Sequence, residues 1–121
     1  MEKNITVRLT ARLFAEEKCY GPGVEQLLKA VERHRSLRAA AASMSMAYSK
    51  AWSIIRAAEQ GFGCKLLHST IGGSGGGGAE LTDEARQIMA AYETYCARMN
   101  EYGQALFGEL FGFCARDDTI D

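Results

Sequence analysis

Three patterns in these 121 residues predict an α+β fold, mostly α. The order of elements is that of a winged helix-turn-helix with an N-terminal strand and a long C-terminal dimerisation helix. The first pattern runs from Ser36 to Thr82. A short alanine-rich helix is followed by a tight turn, a longer amphipathic helix, a strand, the seven-residue glycine-serine tip Gly72–Gly78 and a second strand. Helix, turn, helix and hairpin in that order usually set one helix into the major groove of DNA. The second pattern is an alternating segment before the helices, and the third is a long apolar stripe after Thr82. The expected division is residues 1–81 as the DNA-binding domain and 82–121 as a dimerisation helix with an apolar tail.

The bulk numbers fit one domain with an accessory element. Apolar residues make up 47% and charged residues 24%, enough for a core inside an ordinary soluble surface. No apolar run approaches the ~20 residues that a membrane span needs. The start, MEKNITVRLTARLF, lacks the apolar centre of a signal peptide, so a cytoplasmic protein with no membrane partner is expected. Cys19, Cys64, Cys96 and Cys114 form no CxxC pair and read as reduced thiols used as small apolar residues, with no metal.

Net charge is −1, but its distribution is uneven. Between residues 33 and 70 stand Arg33, Arg35, Arg38, Lys50, Arg56 and Lys65 against Glu59 alone, a balance of +5. From residue 80 onward nine acids face three arginines, a balance of −6, and residues 1 to 32 are neutral. The chain is basic where a phosphate backbone would lie and acidic elsewhere.

Taking the elements in order, Ile5, Val7, Leu9, Ala11 and Leu13 alternate with Thr6, Arg8, Thr10 and Arg12. A period of two predicts a half-buried strand, which must pair with the later hairpin or with a second subunit. Arg8 and Arg12 are phosphate candidates, though a solvated strand face is the plainer reading. Gly21-Pro22-Gly23 is a turn. The first helix begins near Gly23, with Val24, Leu27, Leu28 and Val31 on one face and the basic Arg33-His34-Arg35 at its end. Ser36 is a suitable N-cap for the second helix, Leu37 to about Ser43, whose alanines favour helix and admit a close neighbour. In the turn Ser43-Met44-Ser45, serine 45 stands where glycine is common, so strain is expected there.

The third helix, from about Met46 to Gln60, turns Ala51, Ile55, Ala58 and Phe62 toward the core. Ser49 and Ser53 point the opposite way, with Lys50, Trp52 and Arg56 on the flanks and Tyr48 near the core edge. Hydroxyls can donate or accept at base edges, and Lys50 and Arg56 can reach guanine or phosphate. The competing account is a solvated amphipathic face. Trp52 is open between packing against the wing and touching DNA.

Lys65–Ile71 and Ala79-Glu80-Leu81 pair around the glycine tip. The tip bears no charge, so contact there would come through backbone N–H groups, at Gly75 and Gly76. The alternative is a loop that touches nothing. A nucleotide-binding loop is excluded, because Ala79-Glu80-Leu81 follows the glycines where Lys-Ser/Thr would be needed. Neither histidine has a catalytic partner in a recognisable motif, so no enzyme and no cofactor is expected.

Thr82 caps the last helix, with Asp83 and Glu84 in its first turn. Ala85, Ile88, Met89, Tyr92, Cys96, Met99 and Leu106 form its stripe, with Tyr95 and Tyr102 at the margin. A run this long outreaches so small a domain, which suggests pairing with its copy through Ile88, Met89, Tyr92, Cys96 and Met99. Gly103 and Gly108 weaken the far end. Leu106, Phe107, Leu110, Phe111 and Phe113 form an apolar tail, and Asp117 to Asp121 is expected to fray.

LLKAVERHRSLRAAAASMSMAYSKAW followed by KLLHSTIGGSGGGGAELT resembles the N-terminal DNA-binding domain of ModE-type molybdate-responsive regulators, and more broadly is similar to the winged helix of LysR-type regulators. The marks are Ser36-Leu37, Tyr48 with Ala51-Trp52, Gly72-Gly73 followed by Gly75 to Gly78, and Leu81-Thr82, over roughly residues 5 to 105. The resemblance implies a homodimeric transcription factor on a two-fold operator in double-stranded DNA. It implies recognition by Tyr48, Ser49, Lys50 and Ser53, with the glycine hairpin as wing. Ser74 stands where the ModE-type wing usually carries a base, which weakens phosphate contact there. Family members continue into oxyanion-binding domains and this chain stops, so any effector is expected on a separate protein.

The candidate DNA-binding set is therefore Ser36, Arg38, Tyr48, Ser49, Lys50, Ser53, Arg56, Gly75 and Gly76. The alternative is a winged-helix interaction module that binds another protein through the long helix and phenylalanine tail. A third idea is a small redox or oxyanion sensor.

Overall fold

The computed structural model describes residues 5–70 and 78–114, and the chain divides into two compact units, Ala11–Ala91 and Met1–Thr10 with Tyr92–Asp121.

The larger unit opens with a two-stranded antiparallel sheet, β1 (Leu13–Phe14) and β2 (Lys18–Tyr20). Three helices follow: α1 (Pro22–His34), α2 (Leu37–Ser43) and α3 (Tyr48–Phe62). A second antiparallel pair, β3 (Leu67–Thr70) and β4 (Gly78–Leu81), is in register Leu67↔Leu81 through Thr70↔Gly78. The final helix, α4 (Asp83–Phe111), begins in this unit. The order of helices and hairpin is that of a winged helix-turn-helix. Its core collects Leu27, Leu28 and Val31 from α1, Ala40 and Ala41 from α2, Ala51, Ile55 and Ala58 from α3, and Leu66 and Leu81 beside and within the hairpin.

Local chemistry explains the boundaries. Pro22 occupies the first turn of α1, where its missing N–H is not needed, and Arg35 closes the helix in a left-handed conformation (φ 61°). Ser36 caps α2, its Oγ accepting from the Ala39 N–H at 3.0 Å. The tight turn strains its serine: Ser45 has φ 54°, a region glycine occupies more easily. Because Ala47 is extended and serves as the N-cap, α3 starts at Tyr48, two residues later than the sequence pattern suggests. It runs to Phe62, where Gly63 ends it with φ 73°. Phe62, expected in the core, lies exposed with its ring edge-on to Tyr20 at 5.8 Å. Tyr20 is fully buried and donates its hydroxyl proton to Glu25 Oε1 at 2.6 Å.

The smaller unit corrects the N-terminal strand. Only Leu13 and Phe14 join a ladder, and residues 5–10 form none. Side-chain amides of α4 take the ladder's place. Asn100 accepts the Leu9 N–H at Oδ1 and donates from Nδ2 to the Leu9 carbonyl, both at 3.1 Å, while Gln104 Nε2 donates to the Val7 carbonyl at 2.8 Å. With no sheet to cover them, Ile5 and Leu9 remain exposed. Gly103 admits this segment: a Cβ there would stand 2.5 Å from Leu9 Cδ1.

Thr82 caps α4 through its Oγ1, which accepts from the Ala85 N–H at 3.0 Å. The helix continues through Gly103 and Gly108 to Phe111, so most of the expected apolar tail is helical. Phe107 and Phe111 stack at 5.2 Å, and Phe111 and Phe113 at 6.4 Å. Among the described residues no helix is long and apolar enough to cross a membrane. Asp117 to Asp121 lies outside the described residues.

Candidate nucleic-acid interface

The core-facing stripe of α3 fixes what the opposite side presents. With Ala51, Ile55 and Ala58 buried, Ser49, Lys50, Ser53 and Arg56 are exposed, and Tyr48 and Trp52 are half-buried at the margin. The helical spacing of four stacks Tyr48, Trp52 and Arg56 along one flank. The Arg38 guanidinium, reaching from α2, lies 4.1 Å above the Tyr48 ring. Tyr48 meets Trp52 edge-on at 6.4 Å, and the Arg56 guanidinium lies 5.7 Å from the Trp52 ring centre. Cation–aromatic contacts at exposed sites are worth about 0.5–1 kcal/mol each, enough to bias two flexible arginines toward one geometry.

This ladder borders a groove of about 420 Å³ whose walls include Ser36, Arg38, Tyr48, Trp52, His68 and Ser69. The hairpin that forms one wall is fastened at its base. The Ala79 N–H donates to the Arg35 carbonyl at 3.0 Å, and the Thr82 N–H to the Leu66 carbonyl at 2.9 Å. Ser36 lies at the groove edge with its oxygen engaged in capping α2.

Electrostatics sharpen the contrast read from the sequence. Glu59, the one acid among residues 33–70, is tied down: Oε2 accepts the Leu66 N–H at 2.9 Å and Oε1 lies 3.9 Å from Lys65 Nζ. Glu80 Oε1 lies 3.7 Å from His68 Nε2 across the hairpin, a contact that is an ion pair only when the imidazole is protonated. Among the described residues, no carboxylate pairs with Arg38, Lys50 or Arg56. The surface around α3 thus keeps its positive charge.

The sequence pattern of the bacterial regulatory helix-turn-helix proteins, lysR family, matches residues 26–86, half of the chain. The chain belongs to that family. The matched span of this lysR-family regulator runs from α1 into the first turn of α4 and contains every candidate DNA-binding residue. The chain is also 37% identical over 81 residues to the molybdenum transport protein ModE of Azotobacter vinelandii, covering 67% of this chain and 29% of that protein. It is 35% identical over 66 residues to the molybdenum-pterin-binding protein MopB of Rhodobacter capsulatus, covering 54% and 24%. It is 29% identical over 89 residues to the transcriptional regulator ModE of Haemophilus influenzae, covering 74% and 33%. The chain spans a third or less of the length of these relatives.

Ser36, Arg38, Tyr48, Ser49, Lys50, Ser53 and Arg56 of the lysR-family domain all lie on or beside α3, whereas Gly75 and Gly76 fall outside the described residues. Trp52, left open by the sequence, stands between Tyr48 and Arg56. His68 and Ser69, which sequence reasoning missed as site residues, line the groove from β3. The spacing of Tyr48, Trp52 and Arg56 was the available signal for the ladder.

Of the expected dimerisation set, Met89 and Tyr92 are each 8% exposed, and Ile88, Cys96 and Met99 are half-buried. Open apolar surface lies instead at Tyr95 (58% exposed), Tyr102 (70%), Leu106 and Leu110. The cysteines are all free, but Cys114 is exposed and so is not a packing residue.

Proposed function

We propose that this lysR-family chain is a sequence-specific regulator that lays α3 in the major groove of duplex DNA and binds a two-fold operator as a dimer. Ser49 and Ser53 face the base edges, while Lys50, Arg38 and Arg56 meet the phosphates. One observation carries the reading: a hydroxyl-bearing helix face, free of acids, sits beside two arginines held over aromatic rings. Tyr95, Met99, Tyr102 and Leu106 follow the spacing of four, three and four that suits a helix pairing with its copy. Such pairing would set the two recognition helices about 34 Å apart, one turn of DNA. The molybdenum named in the relatives is not carried over, since the match covers so little of them, and an effector on a separate protein fits the same reading.

The test is selection of bound duplexes from a random DNA pool, followed by fluorescence anisotropy against salt. A two-fold consensus is expected, with a steep salt dependence and specific binding lost on Lys50→Ala or Ser49→Ala in a chain that still folds. Absence of any salt-sensitive DNA binding would sink the proposal. A second reading, a protein-interaction module, is favoured by Phe113 at 84% exposure beside the Phe107–Phe111 stack. It would be preferred if α3 bound no DNA while the chain captured a partner through that end of α4.

A further inference from the structure

We propose that the DNA footprint is not confined to the hairpin side of α3, and that Arg12 and Lys18 hold a backbone phosphate on the opposite flank. This rests on the DNA-binding reading above and extends it to residues outside the family-matched span.

The geometry starts from the angular layout of α3. At 100° per residue, Ser49 and Ser53 form the outward ridge. Tyr48, Trp52 and Arg56 fall on the hairpin side of that ridge; Lys50, Ile54 and Ala57 fall on the other. A helix with its side chains is about 10–12 Å across and the major groove about 12 Å wide, so a helix lying in it has a sugar-phosphate wall along each flank. The hairpin flank answers its wall with Arg38 and Arg56. The far flank has Lys50 from α3 itself, and the fold adds two more cations there.

Those cations share a concavity of about 250 Å³ with Gly21, Ser53, Ile54 and Ala57. Its walls thus join the first hairpin directly to the outward ridge of α3. Arg12 and Lys18 are both exposed, and among the described residues neither has a carboxylate partner. Glu16 and Glu17 occupy the intervening turn without pairing to either. Arg12 is also seated. Its Cγ lies 3.3 Å from where a Cβ on Gly21 would stand, so a larger residue there would press on the arginine stem. Backbone conformation does not require that glycine, since φ is −178°, an extended value open to any residue.

The experiment uses the full chain and a duplex of about 30 base pairs from the selected pool, with log K measured against log salt concentration. Each phosphate neutralised contributes a slope of about 0.9, so Arg12→Gln with Lys18→Gln, which together release one phosphate, should lower the slope by about 0.9 per bound subunit. Arg12→Lys should leave it unchanged. If wild type binds steeply and Lys50→Gln lowers the slope while the double variant does not, the extended footprint is wrong and the DNA-binding reading stands. If wild type shows no salt-sensitive binding, both fall together. Should the double variant lose its helical circular dichroism, ethylation interference comparing wild type with the single Arg12→Gln variant decides. A far-wall phosphate whose ethylation interferes in wild type but not in Arg12→Gln supports the proposal; the same far-wall pattern in both overturns it.

Discussion

Gly78 offers the sharpest test of how the hairpin is seated. A Cβ at this position would come within 2.6 Å of Thr70 Oγ1 and 2.8 Å of the Arg35 carbonyl oxygen. The threonine can rotate away at little cost. The carbonyl cannot, because Arg35 is locked in a left-handed conformation between the end of α1 and the cap of α2. Gly78→Ala should therefore push β4 off this junction and break the 3.0 Å hydrogen bond from the Ala79 N–H to that carbonyl. Losing the bond costs about 0.5–1.5 kcal/mol and the crowding about 1–3 kcal/mol. The lower entropy of the unfolded alanine chain returns about 0.4–1 kcal/mol. A net loss of about 2 kcal/mol is expected, which at about 4 °C per kcal/mol lowers Tm by roughly 8 °C. Thermal unfolding followed by circular dichroism measures it. Adding Thr70→Ala should not restore stability, because the backbone contact persists. Full recovery in that double variant, or an unchanged Tm in Gly78→Ala, would refute the argument that the Arg35 carbonyl is the rigid partner.

Other expectations follow from single contacts. Ser36→Ala removes the acceptor for the Ala39 N–H and should cost about 1 kcal/mol in a chemical denaturation series, with Ser36→Asp retaining most of it. Ser45→Gly should raise stability by up to about 1 kcal/mol, since glycine relieves the φ of 54° at the turn. Trp52→Ala should weaken DNA binding by roughly 2–5-fold in anisotropy by releasing Arg56 and Tyr48, whereas Trp52→Phe should keep most of it. Asn100→Leu removes both partners of the Leu9 backbone, so the Leu9 amide should lose its protection in hydrogen exchange while amides in α1 keep theirs.

Most of the helical framework was legible because its causes are local. The apolar face of α1, the serine cap and alanines of α2, and the Ala51–Ile55–Ala58 stripe are each written within a few turns of chain. The left-handed serine at 45 was legible for the same reason. The failures share a different cause. Residues 5–13 alternate like a strand, but alternation says nothing about what satisfies the backbone, and Asn100 lies 91 positions away from Leu9. The apolar stripe of α4 shows which residues avoid water without showing which of them the chain covers by itself. Met89 and Tyr92 are covered, and the tyrosines assigned to the margin are open. The site was legible as a set of exposed hydroxyls and bases. The arrangement of Arg38 over Tyr48 was not, because it joins two helices.

Charge is where local sequence and three-dimensional arrangement meet most directly. A surplus of bases along a stretch of chain creates a positive surface only if the intervening acids are taken up elsewhere. Glu59 stands on α3, one turn beyond Arg56, where an unpaired carboxylate would oppose the arginine. Instead it turns back to accept the Leu66 N–H, which satisfies the backbone where α3 gives way to the hairpin, and it meets Lys65. The one acid of the basic segment thus serves the joint between α3 and the hairpin. Replacing it would both loosen that joint and leave Lys65 without its partner, so the fold and the field around α3 depend on the same side chain.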